Sequence, residues 1–154
     1  MTMNKIKVYI GAPWNCKPQA KEARALLEKE GFEVTSSWID ITENRDKNDP
    51  ANLPFFQENA LRDVTDLLSA WVFLLLNIHK SEGKAVETGI ALASNIPVVM
   101  VGEPSNIFHY LPIPIMSDLP SAIELIKQWR TDYERLAAEA EAAGKAAEEE
   151  KKEE

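Results

Sequence analysis

Glu87 is the residue of this sequence whose type and position point most directly to chemistry. It follows the most apolar run of the chain, Trp71 to Leu76, within a segment that begins at Ser81. A short run of bulky apolar residues ending in a polar turn is typical of a strand buried on both faces, and the small and apolar residues after it predict a closely packed helix. Ligands of open α/β sheets bind at the carboxyl edge of the strands. Because helix packing requires no acid there, we interpret Glu87 as a candidate nucleophile or base.

A second carboxylate, Asp63, lies on the helix predicted to precede that strand. Its position falls outside the apolar stripe of the helix and shares a neighbouring face with Asn59 and Asp66. Acids on such a face are commonly solvated. The residues alone therefore leave Asp63 open between a surface acid and a partner of Glu87.

Most of the remaining unusual residues follow the predicted strand ends. Small residues allow a ligand to approach the backbone, and a tryptophan can cover a flat ring while neighbouring polar groups contact its edge. Packing at the sheet edge is the alternative for each tryptophan. The candidate binding residues are Gly11, Ala12 and Trp14 after the first strand, Trp38 and Asp40 after the second, Ser81, Gly83 and Lys84 after the third, and Asn106 and His109 after the fourth.

The alternation of these elements predicts an α/β protein. We expect a flavodoxin-like three-layer sandwich, with a parallel sheet of four to five strands and right-handed crossovers. The predicted strands are 5–10, 32–35, 71–76 and 96–101, with a possible fifth over 113–116, and the predicted helices are 19–30, 55–69, 84–94 and 119–129. Gly31 is expected to end the first helix.

Two segments are expected to lie outside this packed body. Residues 40–53 are polar and are interpreted as a long mobile loop, either a lid or a disordered insertion. Residues 135–154 are almost wholly Ala, Glu and Lys, which predicts a solvated, charged helix that frays into disorder. We therefore divide the chain into a domain over 1–130 and a tail over 131–154. A partner-binding helix is the alternative for the tail, although it lacks an apolar seam.

Composition narrows the classes of function. The 154 residues suffice for one domain with a proper core, and the net charge of −8 argues against a nucleic-acid polymer as partner. The single Cys16 cannot form an internal disulfide, and neither His79 nor His109 is placed to pair with it as a catalytic dyad. No apolar run reaches the roughly 20 residues of a membrane span, and no signal-peptide pattern is present. We expect a soluble cytoplasmic protein without a metal or cofactor.

With these residues assembled, the chain resembles the nucleoside 2-deoxyribosyltransferase-like family and its relatives, the deoxynucleoside 5′-monophosphate N-glycosidases. The resemblance spans residues 5–122, and the Asp63–Glu87 and Ser81–Glu87 separations agree with the family pattern. The first loop lacks the basic residues of the monophosphate-hydrolysing branch, so a 5′-phosphate is not implied. The stretches that carry the resemblance are 8–12, 31–38, 60–64, 81–91 and 101–109.

The resemblance implies retaining glycoside chemistry on a (deoxy)nucleoside or nucleotide. Glu87 would attack C1′ of the sugar to form a glycosyl-enzyme ester, which another base or water later releases. Asp63 would protonate the departing base, and Ser81 would bind the sugar or a 5′-phosphate at the helix N-terminus. Asn106 would hold a sugar hydroxyl or orient a carboxylate, as some relatives do across a subunit boundary. A homo-oligomer of two or more copies is implied in the same way.

Alternatives stay open at this point. Lys84 either offsets a phosphate charge or is a solvated surface lysine. The whole chain is alternatively a non-catalytic module that binds or senses a nucleotide or an ADP-ribose-like ligand, because a fold does not fix a function. A flavodoxin-type electron carrier is disfavoured, since residues 11–15 lack a hydroxyl-rich phosphate loop.

Overall fold

A parallel sheet of five strands lies at the centre of the protein. The computed structural model describes residues 5–153, and side chains through residue 151. The strand order is β2-β1-β3-β4-β5, and every neighbouring pair is parallel, which is the flavodoxin-like order and confirms the predicted fold class. The strands are β1 (Lys7–Gly11), β2 (Glu33–Val34), β3 (Val72–Asn77), β4 (Val98–Gly102) and β5 (Ile115–Met116).

Helices cover both faces of the sheet. They are α1 (Lys17–Lys29), α2 (Leu53–Leu68), α3 (Glu82–Ala93) and α4 (Leu119–Glu153). α1 packs beside α4, and α2 packs beside α3. β3 lies between β1 and β4, and all six of its residues are buried, as its uninterrupted apolar sequence predicted. The ends of β1 and β3 therefore meet at the middle of the carboxyl edge, next to the beginning of α3.

The turn between α1 and β2 follows from a local sequence signal. Gly31 has a φ of +87°, a conformation that residues with a Cβ rarely adopt, and it directly follows the C-cap of α1. Its N–H donates to the carbonyl of Glu28, and the N–H of Phe32 donates to that of Leu27. The guanidinium of Arg130 on α4 then lies 4.3 Å from the buried ring of Phe32. The prediction that Gly31 ends the helix is confirmed.

The short strand β2 covers only the first part of the neighbouring edge of β1, and side chains bond to the backbone of β1 further along. β2 pairs with β1 only through Glu33 and Val34. Past that point the N–H of Ile10 donates to Oγ of Ser36 at 2.5 Å, and the indole N–H of Trp38 donates to the carbonyl of Ile10 at 2.8 Å. A buried backbone requires hydrogen-bond partners, and these two side chains supply them while the main chain turns away from the sheet.

The segment predicted as a long mobile loop is shorter and contains defined turns. A 3-10 turn at Pro50–Asn52 is capped by Asp49, whose Oδ1 accepts from the N–H of Ala51 at 2.9 Å. α2 then begins at Leu53, two residues before its predicted start, with Pro54 in its first turn. Proline is favoured in a first helical turn, where no N–H is needed.

α4 runs without a break through residue 131, the predicted start of the tail. Residues 133–151 are exposed, and packing rather than backbone conformation therefore distinguishes the two halves of the helix. Near the transition, Tyr133 contacts Trp71 edge to face, with 5.8 Å between ring centroids. Trp71 precedes β3 rather than beginning it. Among the described residues, no helix combines the length and the apolar character needed to cross a membrane.

Candidate active site

Glu87 lies in the second turn of α3 and accepts a hydrogen bond from Tyr9. The hydroxyl of Tyr9 donates to Oε1 at 2.6 Å, and its side chain is fully buried in β1. Burial raises the pKa of Glu87 to about 7; the charge of Asp63 adds to this increase, while the Tyr9 bond and Lys84 oppose it. Burial and the neighbouring Glu87 and Asp63 charges raise the pKa of Tyr9 as well, so its hydroxyl stays protonated and acts as a donor.

Gly11 allows the end of β1 to approach this carboxylate. A Cβ at Gly11 would lie 2.5 Å from the ring of Phe73 and 2.9 Å from Oε2 of Glu87. Any larger residue would therefore displace one of these two side chains. The sequence predicted that small residues here let a ligand approach the backbone, and in the structure the group that approaches Gly11 is the carboxylate of Glu87.

Asp63 faces the same region from α2. Its Oδ1 is buried and has no hydrogen-bond partner among the described residues. Burial raises the pKa of Asp63 to about 6, and the charge of Asp66 adds to the increase, while Arg62 opposes it. An unpartnered buried acceptor is uncommon in proteins. A carboxyl with this pKa is present in both protonation states near neutral pH, as a group that exchanges protons requires.

A cavity of about 590 Å³ lies beside Asp63. Its volume falls in the range of roughly 300–1,000 Å³ that is usual for small-molecule sites. Trp14, Phe55, Phe56 and residues 43–48 line it, and the guanidinium of Arg45 lies 4.3 Å from the centroid of the Phe55 ring. Trp14 is 47% exposed, and the ammonium of Lys17 lies 3.5 Å from the centroid of its ring. The loop that the sequence left open between a lid and an insertion therefore lines the cavity.

The first loop and the turn before α3 meet above the edge of the sheet. Nε2 of His79 lies 2.9 Å from Oδ1 of Asn15 and joins the two segments. Ser81 is the N-cap of α3, and its side chain makes no capping hydrogen bond. A Cβ at Gly83 would come no closer than 3.8 Å to a neighbouring atom of the described chain, the Ser81 hydroxyl oxygen. The first N–H groups of α3 and the Ser81 hydroxyl are thus available to hydrogen-bond an oxygen atom.

Of the predicted site residues, Trp14 and Asp63 line the cavity, whereas Glu87 and the other predicted binding residues do not. Trp38 is 5% exposed and holds the backbone of β1, so it packs in the core beneath Trp14 and offers no stacking surface. Asp40 is exposed and forms two hydrogen bonds with Arg24, at 2.8 and 3.0 Å, outside the cavity of Asp63. Lys84 is buried, which corrects its interpretation as a solvated surface lysine. Ala12 lies between Gly11 and the buried Pro13 and is itself partly exposed.

Asn106 and His109 lie on a different side of α3 from Glu87. Asn106 lines a separate cavity of about 240 Å³ together with Ala85, Thr88 and Gly89, which share a helix face that excludes Glu87. Asn106 caps the short 3-10 helix Ile107–Tyr110, and the buried His109 accepts from the N–H of Ser105 at 3.0 Å. Both residues thus organise their own loop. A role for Asn106 across a subunit boundary stays a prediction.

Two residues important for the geometry carried no predicted role. Tyr9 occurs among the apolar residues of β1, where an aromatic residue is ordinarily interpreted as part of the core. A buried tyrosine needs a hydrogen-bond partner for its hydroxyl, and this requirement could have indicated a polar contact from the sequence. Asn77 closes β3 and is 7% exposed. Its position at the end of an apolar run was visible, but its partners could not be inferred from the sequence. In the described part of the chain, no group of three or more His, Cys, Asp or Glu side chains is arranged to hold a metal ion.

Solved structures of several proteins share this fold. The 2-deoxyribosyltransferase from Bacillus psychrosaccharolyticus is similar with a TM-score of 0.56 and 17% identity, over 76% of this chain and 90% of that one. The CMP N-glycosidase from Clostridium botulinum is similar with a TM-score of 0.52 and 16% identity, over 79% and 98% of the two chains. A conserved protein from Enterococcus faecalis gives a TM-score of 0.57 and 21% identity, over 81% and 99%.

These similarities define the fold. No family model and no curated protein sequence matches the chain. The chain has the fold found in a 2-deoxyribosyltransferase and in a CMP N-glycosidase, and the resemblance stated from the sequence is confirmed at that level. At identities of 16–21%, the fold is what is shared.

Proposed function

We propose that this protein is an enzyme that cleaves the N-glycosidic bond of a (deoxy)nucleoside or nucleotide and passes the sugar to another base or to water. One observation carries this assignment: Glu87, bonded to Tyr9, is close enough to Asp63 to be influenced by its charge, and Asp63 lines a cavity large enough for a nucleoside. The activities named for two proteins of the same fold support the same chemistry.

In the first step, Glu87 is the nucleophile. Its ionised carboxylate attacks C1′, an ester forms between Glu87 and the sugar, and the C1′–N bond breaks with its electron pair moving to the base. Asp63 in its protonated form supplies the proton that the departing nitrogen takes up. The Tyr9 hydroxyl, which donates to Oε1 at 2.6 Å, holds the carboxylate and leaves Oε2 as the attacking atom.

In the second step, the ester is broken by an acceptor. Asp63, now ionised, takes a proton from an incoming base or water, whose nitrogen or oxygen attacks C1′ and releases Glu87 as a carboxylate. With a base as acceptor the product is a new nucleoside, and with water as acceptor it is the free sugar. Trp14, Phe55 and Phe56 line the cavity, with Lys17 over the ring of Trp14 and Arg45 over that of Phe55. An aromatic lining of this kind favours a nucleobase as leaving group and acceptor.

A reaction panel separates these outcomes. Deoxynucleosides, ribonucleosides and their 5′-monophosphates are incubated with and without a free acceptor base, and products are separated by chromatography. The wild type is compared with Glu87→Ala and with Glu82→Gln, which removes an exposed acid from the first turn of the same helix. We expect free base from the wild type and from Glu82→Gln, and a loss of at least about a thousandfold in Glu87→Ala.

The second product identifies the reaction type. A new nucleoside formed with acceptor present identifies a transferase, and free sugar alone identifies a hydrolase. Equal turnover by Glu87→Ala contradicts the mechanism. If no substrate of the panel is turned over and a nucleotide or ADP-ribose-like ligand still binds, the chain belongs to the non-catalytic binding class instead.

A further inference from the structure

Lys84 is a buried lysine whose hydrogen-bond partners carry no charge. It is 4% exposed, and its ammonium donates to Oδ1 of Asn77 at 2.6 Å and to the carbonyl of His79. Within the described residues, no carboxylate lies within the 4.0 Å of a salt bridge to it. Lysine is almost never fully buried unless it is paired. Burying this ammonium without a charged partner costs free energy, and stabilising the turn at His79 does not by itself explain why a lysine occupies this position.

The ammonium is fixed in place by a second layer of contacts. The side-chain amide of Asn77 donates to the carbonyl of Glu103 at 2.5 Å and lies 3.2 Å from Oγ of Ser105. Lys84 is thereby tied through Asn77 to the loop after β4, and through His79 to the turn before α3. Moving Lys84 to meet a phosphate would leave Oδ1 of the buried Asn77 without its donor. The predicted role of Lys84 in offsetting a phosphate charge stays a prediction, and in this structure its ammonium is bonded to Asn77 and His79.

Glu87 lies three residues further along α3, within reach of the charge of Lys84. Residues at this spacing are neighbours on a helix surface. The groups that face Glu87 from other elements are Tyr9 on β1 and Asp63 on α2, and neither carries a positive charge. Lys84 is itself faced by Cys16 from the first loop and by His109 from the loop after β4. Among the groups that act on Glu87, Lys84 is the cation that opposes the rise of its pKa, although its effect is smaller than those of burial, Tyr9 and Asp63. Burial lowers the pKa of Lys84 itself, and the neighbouring Glu87 charge opposes that decrease.

We propose that Lys84 is a positioning residue for Glu87: its anchored, buried ammonium favours the ionised form of the carboxylate and fixes the turn from which α3 begins. That this ionised form attacks a sugar rests on the function proposed above, whereas the effect of Lys84 on Glu87 ionisation does not. A role confined to holding the turn would affect stability and leave the ionisation of Glu87 unchanged.

The test follows the ionisation of Glu87 directly. Protein labelled with ¹³C at the glutamate side chains is titrated by NMR, and the Glu87 signal is assigned by its absence from Glu87→Gln. The wild type is compared with Lys84→Met, which keeps the length of the side chain without its charge. Lys80→Met is the matched control, because Lys80 is an exposed lysine in the same turn. We expect the Glu87 midpoint to rise by about one pH unit in Lys84→Met and to stay unchanged in Lys80→Met.

An unchanged Glu87 midpoint in folded Lys84→Met overturns the inference. If that variant does not fold, the wild type decides: a ¹³C titration of its lysine side chains must show Lys84 charged across the range in which Glu87 titrates, and a neutral Lys84 there overturns the inference equally. Neither titration uses a substrate, so both outcomes are independent of the reaction panel. Where the panel gives turnover, Lys84→Met should lower the maximal kcat/KM about tenfold with little change in KM, because less of Glu87 is ionised at the optimum.

Discussion

At the scale of single residues, Glu87 is a carboxyl group held in an environment that disfavours its charge. Its pKa is about 7 in the folded protein, above the ordinary value of 4.5, chiefly because burial disfavours the charged form. When folding raises the pKa of a carboxyl, the folded state is favoured while that group is protonated. This contribution to the free energy of unfolding is fully present below the unfolded pKa and is lost as pH rises through the folded pKa. The window for this residue runs from about pH 4.5 to about pH 7.

We therefore expect Glu87→Gln to be more stable than the wild type at pH 8. The amide keeps an acceptor for Tyr9 and removes the buried charge, and the shift in pKa corresponds to a gain of up to about 3 kcal/mol in the free energy of unfolding. At pH 5 the gain should fall to about 1 kcal/mol or less. Thermal denaturation at both pH values measures it, with Glu82→Gln as control. A variant that melts below the wild type at pH 8 would show that the Glu87 charge stabilises the fold.

At the scale of elements, the two halves of α4 contribute differently to stability. The half that ends near Trp129 packs on the sheet and anchors Phe32 through Arg130, whereas residues 137–153 extend past the last aromatic contact. Exposed surface residues usually change stability by no more than about 0.5 kcal/mol. The outer half is therefore expected to be nearly neutral for folding, whatever else it does.

Two truncations compare these halves. Ending the chain after Leu136 should leave the melting temperature within about 2 °C of the wild type. Ending it after Asp132 also removes Tyr133 and Leu136, which line an apolar groove with Trp71 and Trp129, and should lower the melting temperature by several degrees, or roughly 1–2 kcal/mol. Equal losses in both truncations would show that the outer half is packed against something in solution.

The elements were more predictable from the sequence than the site. β3 and α3 follow from an unbroken apolar run and from the small residues after it, and Gly31 marks the end of α1 without help from the rest of the chain. The burial of Lys84 was not predictable, because lysine is ordinarily a surface residue and the oxygens that accept its bonds come together only in the fold. Asn106 was placed at the correct edge, but which face of α3 it meets depends on helix rotation, which sequence spacing does not fix.

At the scale of the whole molecule, the proposed reaction requires two protonation states at once. Glu87 must be ionised and Asp63 protonated, although their pKa values, about 7 and about 6, favour the opposite arrangement. The two carboxyls influence each other and titrate as a coupled pair. The competent form is therefore a minor one, and its population is greatest between the two values.

We expect a bell-shaped dependence of kcat/KM on pH, with its maximum between about pH 6 and about pH 7. In Asp63→Asn the falling alkaline limb should disappear, because only the ionisation of Glu87 remains. Activity should rise to a lower plateau with a midpoint below about pH 7, because the Asp63 charge that raises the pKa of Glu87 is gone. The measurement is a pH series with a substrate identified by the panel. An alkaline limb that persists in Asp63→Asn would assign it to another group.

The edge of β1 that is closed by Ser36 and Trp38 has a consequence for how the protein can change. An open strand edge offers N–H and C=O groups to any extended chain and is a route to aggregation. Here Ser36 and Trp38 bond to the N–H and C=O of Ile10, and both precede the cavity-lining loop in the chain. Insertions or deletions within residues 41–48 would therefore alter the entrance to the cavity without exposing a sheet edge. The length and sequence of this loop can therefore change while the edge of β1 stays closed.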